Sequence, residues 1–80
     1  MDIIRLYAFD EYRRARAQAV FKQTSRMNHV SGKREKGFRL LAADGVDFGD
    51  QKFWFQLPRG SSGVVAGRFA WEVVEITPQL

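Results

Sequence analysis

Residues 10–28 read DEYRRARAQAVFKQTSRMN, and the fold of the whole chain turns on how this stretch is read. Ala15, Ala17, Ala19, Gln18 and Gln23 favour helix, and no Gly or Pro interrupts the chain between Glu11 and Gly32. Asp10 suits an N-cap, and Glu11 falls in the first turn, where the helix dipole favours negative charge. These features predict a helix over about 10–28. Two others fit it less well. The third helical residue is Arg13, so the capping box is missing. The apolar stripe is broad: Val20 and Met27 fall close together beside Ala17 and Tyr12, while Phe21 lies well round the cylinder. The polar side is sharper, with Arg14, Gln18, Lys22 and Arg26 on an i, i+4 ladder that carries three cations.

On the N-terminal side, DIIRLYAF (2–9) alternates as a strand. Ile4, Leu6 and Ala8 share one face and Ile3, Arg5, Tyr7 and Phe9 the other. Both faces carry apolar residues, which predicts a strand that is central or covered on both sides. On the C-terminal side, NHVSGKREKG (28–37) reads as a helix exit and basic loop, and GFRLLAA (37–43) as a strand. Asp44-Gly45 is a hairpin-turn pair. KFWFQL (52–57) reads as a strand with Phe53, Phe55 and Leu57 facing one way and Trp54 the other. Pro58 closes it, and the Gly- and Ser-rich segment at about 58–66 reads as a flexible loop. The last strand, GRFAWEVVEI, occupies about 67–76. The predicted order is β-α-β-β-β: an α+β fold in which one helix packs on a mainly antiparallel sheet of three to four strands, forming a single domain over 1–80.

Eighty residues suffice for one small core, and at 45% hydrophobic and 14% aromatic the chain can build one. With no Cys there is no disulfide, thiolate nucleophile or Cys-based zinc site. The first residues lack the charged region and apolar stretch of a signal peptide, and no run approaches the roughly eighteen apolar residues of a membrane span. A soluble, cytoplasmic protein with no membrane association is expected.

The charge is unevenly distributed. Residues 13–39 hold nine of the thirteen Lys and Arg against the single acid Glu35, a net of +8, whereas the other residues carry a net of −4. Several cations on one surface are what phosphate recognition requires, because each neutralised phosphate releases a counterion. Arg14, Lys22 and Arg26 on the ridge, with Lys33, Arg34 and Lys36 in the loop, are the candidate residues for an anionic partner, and Arg59 in the flexible segment is a candidate arm contact. Lys22 and Arg26 have no acid three or four residues away, so helical ion pairs do not account for them. Arg14 has Asp10 and Glu11 within reach. The alternative for all of them is a solvated face that keeps a small domain soluble.

Of the aromatic residues, Phe53 and Phe55 alternate as core residues should, leaving Trp54 as the exposed ring and candidate anchor. The segment PRGSSGVVAG lacks the Gly-Lys-Ser/Thr ending of a P-loop. Asp44, Asp47 and Asp50 do not match calcium-loop spacing, and the one His, His29, has no acid near it in sequence to orient it. No catalytic constellation, metal site or cofactor is expected. The leading expectation is a non-enzymatic binding protein that docks on nucleic acid or an anionic nucleoprotein surface. The alternative is a compact regulator or inhibitor of the phage or mobile-element type, anti-CRISPR proteins among them, that binds an acidic protein surface. In size, basicity and predicted class the chain is also similar to the small ribonuclease toxins of the RelE kind, although no motif matches. An unpaired sheet edge would offer a second copy of the chain a pairing site, giving a homodimer.

Overall fold

Asp2–Phe9 forms β1, over the residues where its alternation predicts a strand. The next segment does not form a helix. In the computed structural model, which describes residues 1–57, 60–61 and 70–79, Ala15–Asn28 is a 14-residue strand, β2. It is followed by β3 (Lys33–Asp44), β4 (Phe53–Trp54), β5 (Gly60–Ser61) and β6 (Ala70–Pro78). All pairings are antiparallel, and the strand order is β4-β3-β2-β1-β6-β5. No helix occurs among the described residues, and none is long and apolar enough to cross a membrane. The α+β expectation is therefore corrected to an antiparallel β fold.

The physical reason lies in the burial of β2. Ala17, Ala19 and Phe21 are buried on one face, a period of two that a helix would scatter. Helix propensities differ by only about 0.7 kcal/mol per residue among ordinary side chains, so burial of one strand face overrides them. Asp10 does accept backbone N–H groups as an N-cap would, but in a hairpin turn. Its Oδ1 takes the N–H of Tyr12 at 2.9 Å and of Arg14 at 3.0 Å. The main chain closes the same loop through Arg13 N–H to Asp10 O and Asp10 N–H to Arg14 O, both 3.0 Å. Arg13 takes a left-handed conformation, φ 61°, as the third residue of such a loop commonly does.

Three register shifts bend the sheet. One residue is extra at each: Arg16 in β2 against β1, Leu41 in β3 against β2, and Val74 in β6 against β1. Bulges increase local twist, and the sheet curls its apolar face around one plug. That face carries Ile4, Leu6, Ala8, Ala17, Ala19, Phe21 and Trp71. The connection between β3 and β4 passes over it and inserts Phe48, whose ring lies 6.2 Å from Phe21, 5.0 Å from Trp54 and 6.1 Å from Trp71. Ala8, Ala17 and Ala19 are small where this connection crosses. Gly45 enters it with φ +77°, and a Cβ there would stand 2.5 Å from the Arg16 carbonyl oxygen, so the crossing needs glycine. The Asp44-Gly45 pair accordingly starts a long crossing connection in place of the tight hairpin its sequence suggests.

The expected strand at 52–57 shrinks to Phe53–Trp54, and that at 37–43 lengthens to Lys33–Asp44. The segment 28–37, expected as a basic loop, is mostly strand. Only residues 29–32 form the turn, closed by the Gly32 N–H donating to the Asn28 carbonyl at 2.7 Å. The expected flexible loop at 58–66, apart from 60–61, lies outside the described residues, as does the predicted start of the last strand at 67–69.

Candidate anion-binding site

The β2–β3 hairpin builds the site. Its register is centred on the 29–32 turn, so Asn28 faces Lys33, Arg26 faces Glu35, Thr24 faces Gly37 and Lys22 faces Arg39. Facing residues share a side of the sheet. Lys22, Thr24, Arg26 and Arg39 therefore emerge on the face opposite the Phe48 plug. Beyond Lys22 the hairpin has no β1 partner, because the β1–β2 ladder ends at Ile3 and Lys22. β4 adds one more strand, pairing Phe53 with Arg39.

These residues line an open depression of about 370 Å³, together with Met1, Ser25 and Phe53. Three cationic side chains converge there, and among the described residues no carboxylate lines it. Lys22 and Arg39 are side by side on adjacent strands, an arrangement that costs stability when no acid separates the charges. Elsewhere on the molecule Arg side chains find acids: Arg5 pairs with Glu75 at 3.6 Å, Arg13 with Glu72 at 2.6 Å and Arg16 with Asp10 at 2.7 Å. These are the ion pairs among the described residues. Arg26 faces Glu35 across the ladder yet does not pair with it. The Glu35 carboxylate accepts the Asn28 amide at 2.8 Å, and the Arg26 guanidinium stands over the Phe53 ring, 4.0 Å from its centroid.

Gly37 makes that stack possible. A Cβ at Gly37 would lie 2.0 Å from Phe53 Cζ, so the ring occupies the place where other residues carry a side chain. Gly37, Phe53 and Arg26 thus form three layers, and Phe55 braces the ring edge-on at 4.9 Å. The aromatic phase is the reverse of the expected one. Trp54 packs against Phe21 at 5.4 Å and against Phe48, which commits its ring to the core, while Phe53 lies on the cationic face.

Of the residues singled out from sequence, the structure unites Lys22 and Arg26. Lys33 shares their face farther along the hairpin. Arg34 and Lys36 fall on the other face, opposite Met27 and Ser25, with Arg34 Nη1 donating to the Ser25 carbonyl at 3.3 Å. Arg14 sits in the Asp10 turn at the far end of β2, its guanidinium 5.6 Å from the centroid of Tyr12. Arg59 lies outside the described residues. Sequence reasoning passed over Arg39 and Phe53. The signal for Arg39 was present: it stands between Phe38 and Leu40, both packed on the core, so its own side chain must point away.

The electrostatics of the opposite end differ. The backbone N–H of Arg14, aided by Arg16, holds the Asp10 carboxyl below its ordinary range, and the Arg13 guanidinium does the same for Glu72. Arg13 also lies over Phe9, 4.6 Å from the ring centroid. Cations at that end are thus engaged by acids and rings, whereas among the described residues no acid pairs with the cations of the depression. His29 is exposed in the hairpin turn, and among the described residues no three His, Asp or Glu side chains converge as a metal-binding set. No protein-family model matches the chain, and neither a curated protein nor a solved structure matches it.

Proposed function

We propose that the protein is a non-enzymatic binding domain whose Lys22, Arg26 and Arg39 hold the phosphate backbone of a nucleic acid. The observation that carries this reading is the Lys22–Arg39 pair: two like charges face each other on neighbouring strands, with no carboxylate among the described residues lining the depression between them and Arg26. Such an arrangement opposes folding and is relieved by an anion that bridges the two side chains. Lys33, on the same face, extends the charged track toward the tip of the hairpin.

The test is the affinity for a fluorescent oligonucleotide, measured by anisotropy over a range of salt concentrations. Three phosphate contacts give log Kd a slope of about 2 against log salt on a single strand, and changing both Lys22 and Arg39 to Ala lowers that slope by about 1.4. Binding that ignores salt, or an unchanged slope in the double variant, overturns the reading. Salt-dependent binding to a defined acidic protein with none to nucleic acid moves the site to the regulator class.

A further inference from the structure

Resting on that reading, we infer that the site takes single-stranded nucleic acid, one of whose bases stacks on the Arg26 guanidinium. The cations alone would serve any polyanion. What discriminates is the stack at their centre. Arg26 is exposed, lacks a carboxylate partner among the described residues, and is held over Phe53, which is itself seated on the bare Gly37 backbone. The guanidinium is planar with N–H donors at its edge, and Arg26 is exposed, so the group can offer its plane to a base. Duplex nucleic acid keeps the faces of its bases stacked on one another and presents only phosphates and groove edges, so such a platform has nothing to stack with. A single strand offers both chemistries, and its bases stack on aromatic rings or on Arg planes.

Lys22, Arg26 and Arg39 line one depression, so a strand held at one of them passes the others. Lys22 and Arg26 are four residues apart on one face of β2, roughly 13 Å at about 3.3 Å per residue. A phosphate held between Lys22 and Arg39 would place its strand along the depression that Arg26 also lines. Thr24 stands between them and places a hydroxyl on the same face.

The decisive variant is Arg26→Lys, which keeps the charge and removes the plane. The probes are an unstructured oligothymidine, an abasic strand of the same length and charge, and the matching duplex. The unaltered protein is expected to bind oligothymidine about tenfold more tightly than the abasic strand, and Arg26→Lys to lose most of that difference, read as the ratio of its two affinities so that any change in phosphate contact common to both strands cancels. Phe53→Leu, which keeps the apolar seat without the ring, is expected to act in the same direction. Equal affinity for base-bearing and abasic strands, or tighter binding of the duplex, overturns this inference while leaving phosphate binding intact. Loss of salt-dependent binding to all three probes instead removes the reading beneath it.

Discussion

Lys22 stands directly opposite Arg39 across the β2–β3 ladder, on the face of the sheet turned away from the Phe48 plug. Facing like charges destabilise a strand pair by an amount similar to what an opposite pair contributes, about 0.2–1 kcal/mol. Lys22→Thr substitutes a β-branched residue and removes the repulsion. It is expected to raise the unfolding free energy, read from a urea titration, by that small amount and to weaken oligonucleotide binding. A fall in stability would mean that the Lys22 stem contributes packing that outweighs the repulsion.

The Gly37–Phe53 contact gives a second prediction. Gly37→Ala brings a Cβ to 2.0 Å from Phe53 Cζ, so the ring must move. The atom in the way is the far end of a side chain, and Ala gains about 0.5–1 kcal/mol over Gly in regular structure. Stability should therefore change by less than about 1 kcal/mol, whereas the platform beneath Arg26 is disturbed. Expected is a near-normal unfolding curve combined with loss of the base-dependent part of binding. A large loss of stability would place Phe53 in the core and not on the binding face.

Ala19 tests the fold itself. It is fully buried where the β3–β4 connection crosses the sheet, beside the buried Phe48. Ala19→Leu adds three carbons where the crossing chain leaves little room, and overpacking of this kind costs about 1–3 kcal/mol. On a helix with a broad, loose apolar stripe the same change would be mild or favourable. Chemical denaturation measures the difference, and far-UV circular dichroism of the unaltered protein should show strand without helix.

The misreading of β2 has a specific cause. Arg14, Gln18, Lys22 and Arg26 are spaced by four, and four residues bring a side chain back to nearly the same side in a helix and to the same side in a strand. The ladder could not separate the two. Of the helix-favouring residues, Ala17 and Ala19 are buried in the cluster that Phe48 of the β3–β4 connection completes, a tertiary requirement invisible locally. Ala17, Ala19 and Phe21 did alternate, and the poorly defined helical stripe was the same fact seen from the other side. Lys22 and Arg26 were legible as candidate residues because neither has an acid three or four residues away in sequence. Arg39 was legible as outward-facing from its place between Phe38 and Leu40, whereas Phe53 became legible only once the β3–β4 register was known. β1 was read correctly because its neighbours on both sides, β2 and β6, require the apolar alternation that the sequence displays.

Asp10 links stability to pH. Its side chain is only 9% exposed, accepts two backbone N–H groups and receives Arg16 Nε at 2.7 Å. These bonds favour the carboxylate, and chiefly through the Arg14 N–H they lower its pKa below the ordinary value of 3.8. A carboxyl whose pKa is lower folded than unfolded stabilises the fold fully above the unfolded value, and the contribution disappears as pH falls through the folded value. The Arg13-bound Glu72 acts in the same direction over the same acid range. The thermal midpoint should therefore hold steady near neutrality and decline once the pH drops below about 4. Asp10→Asn keeps a side-chain oxygen for the turn but carries no charge to titrate. Its midpoint should lie below that of the unaltered protein at neutral pH, and the gap should close as the medium is acidified. A gap that stays constant with pH would show that Asp10 contributes through the shape of the turn alone.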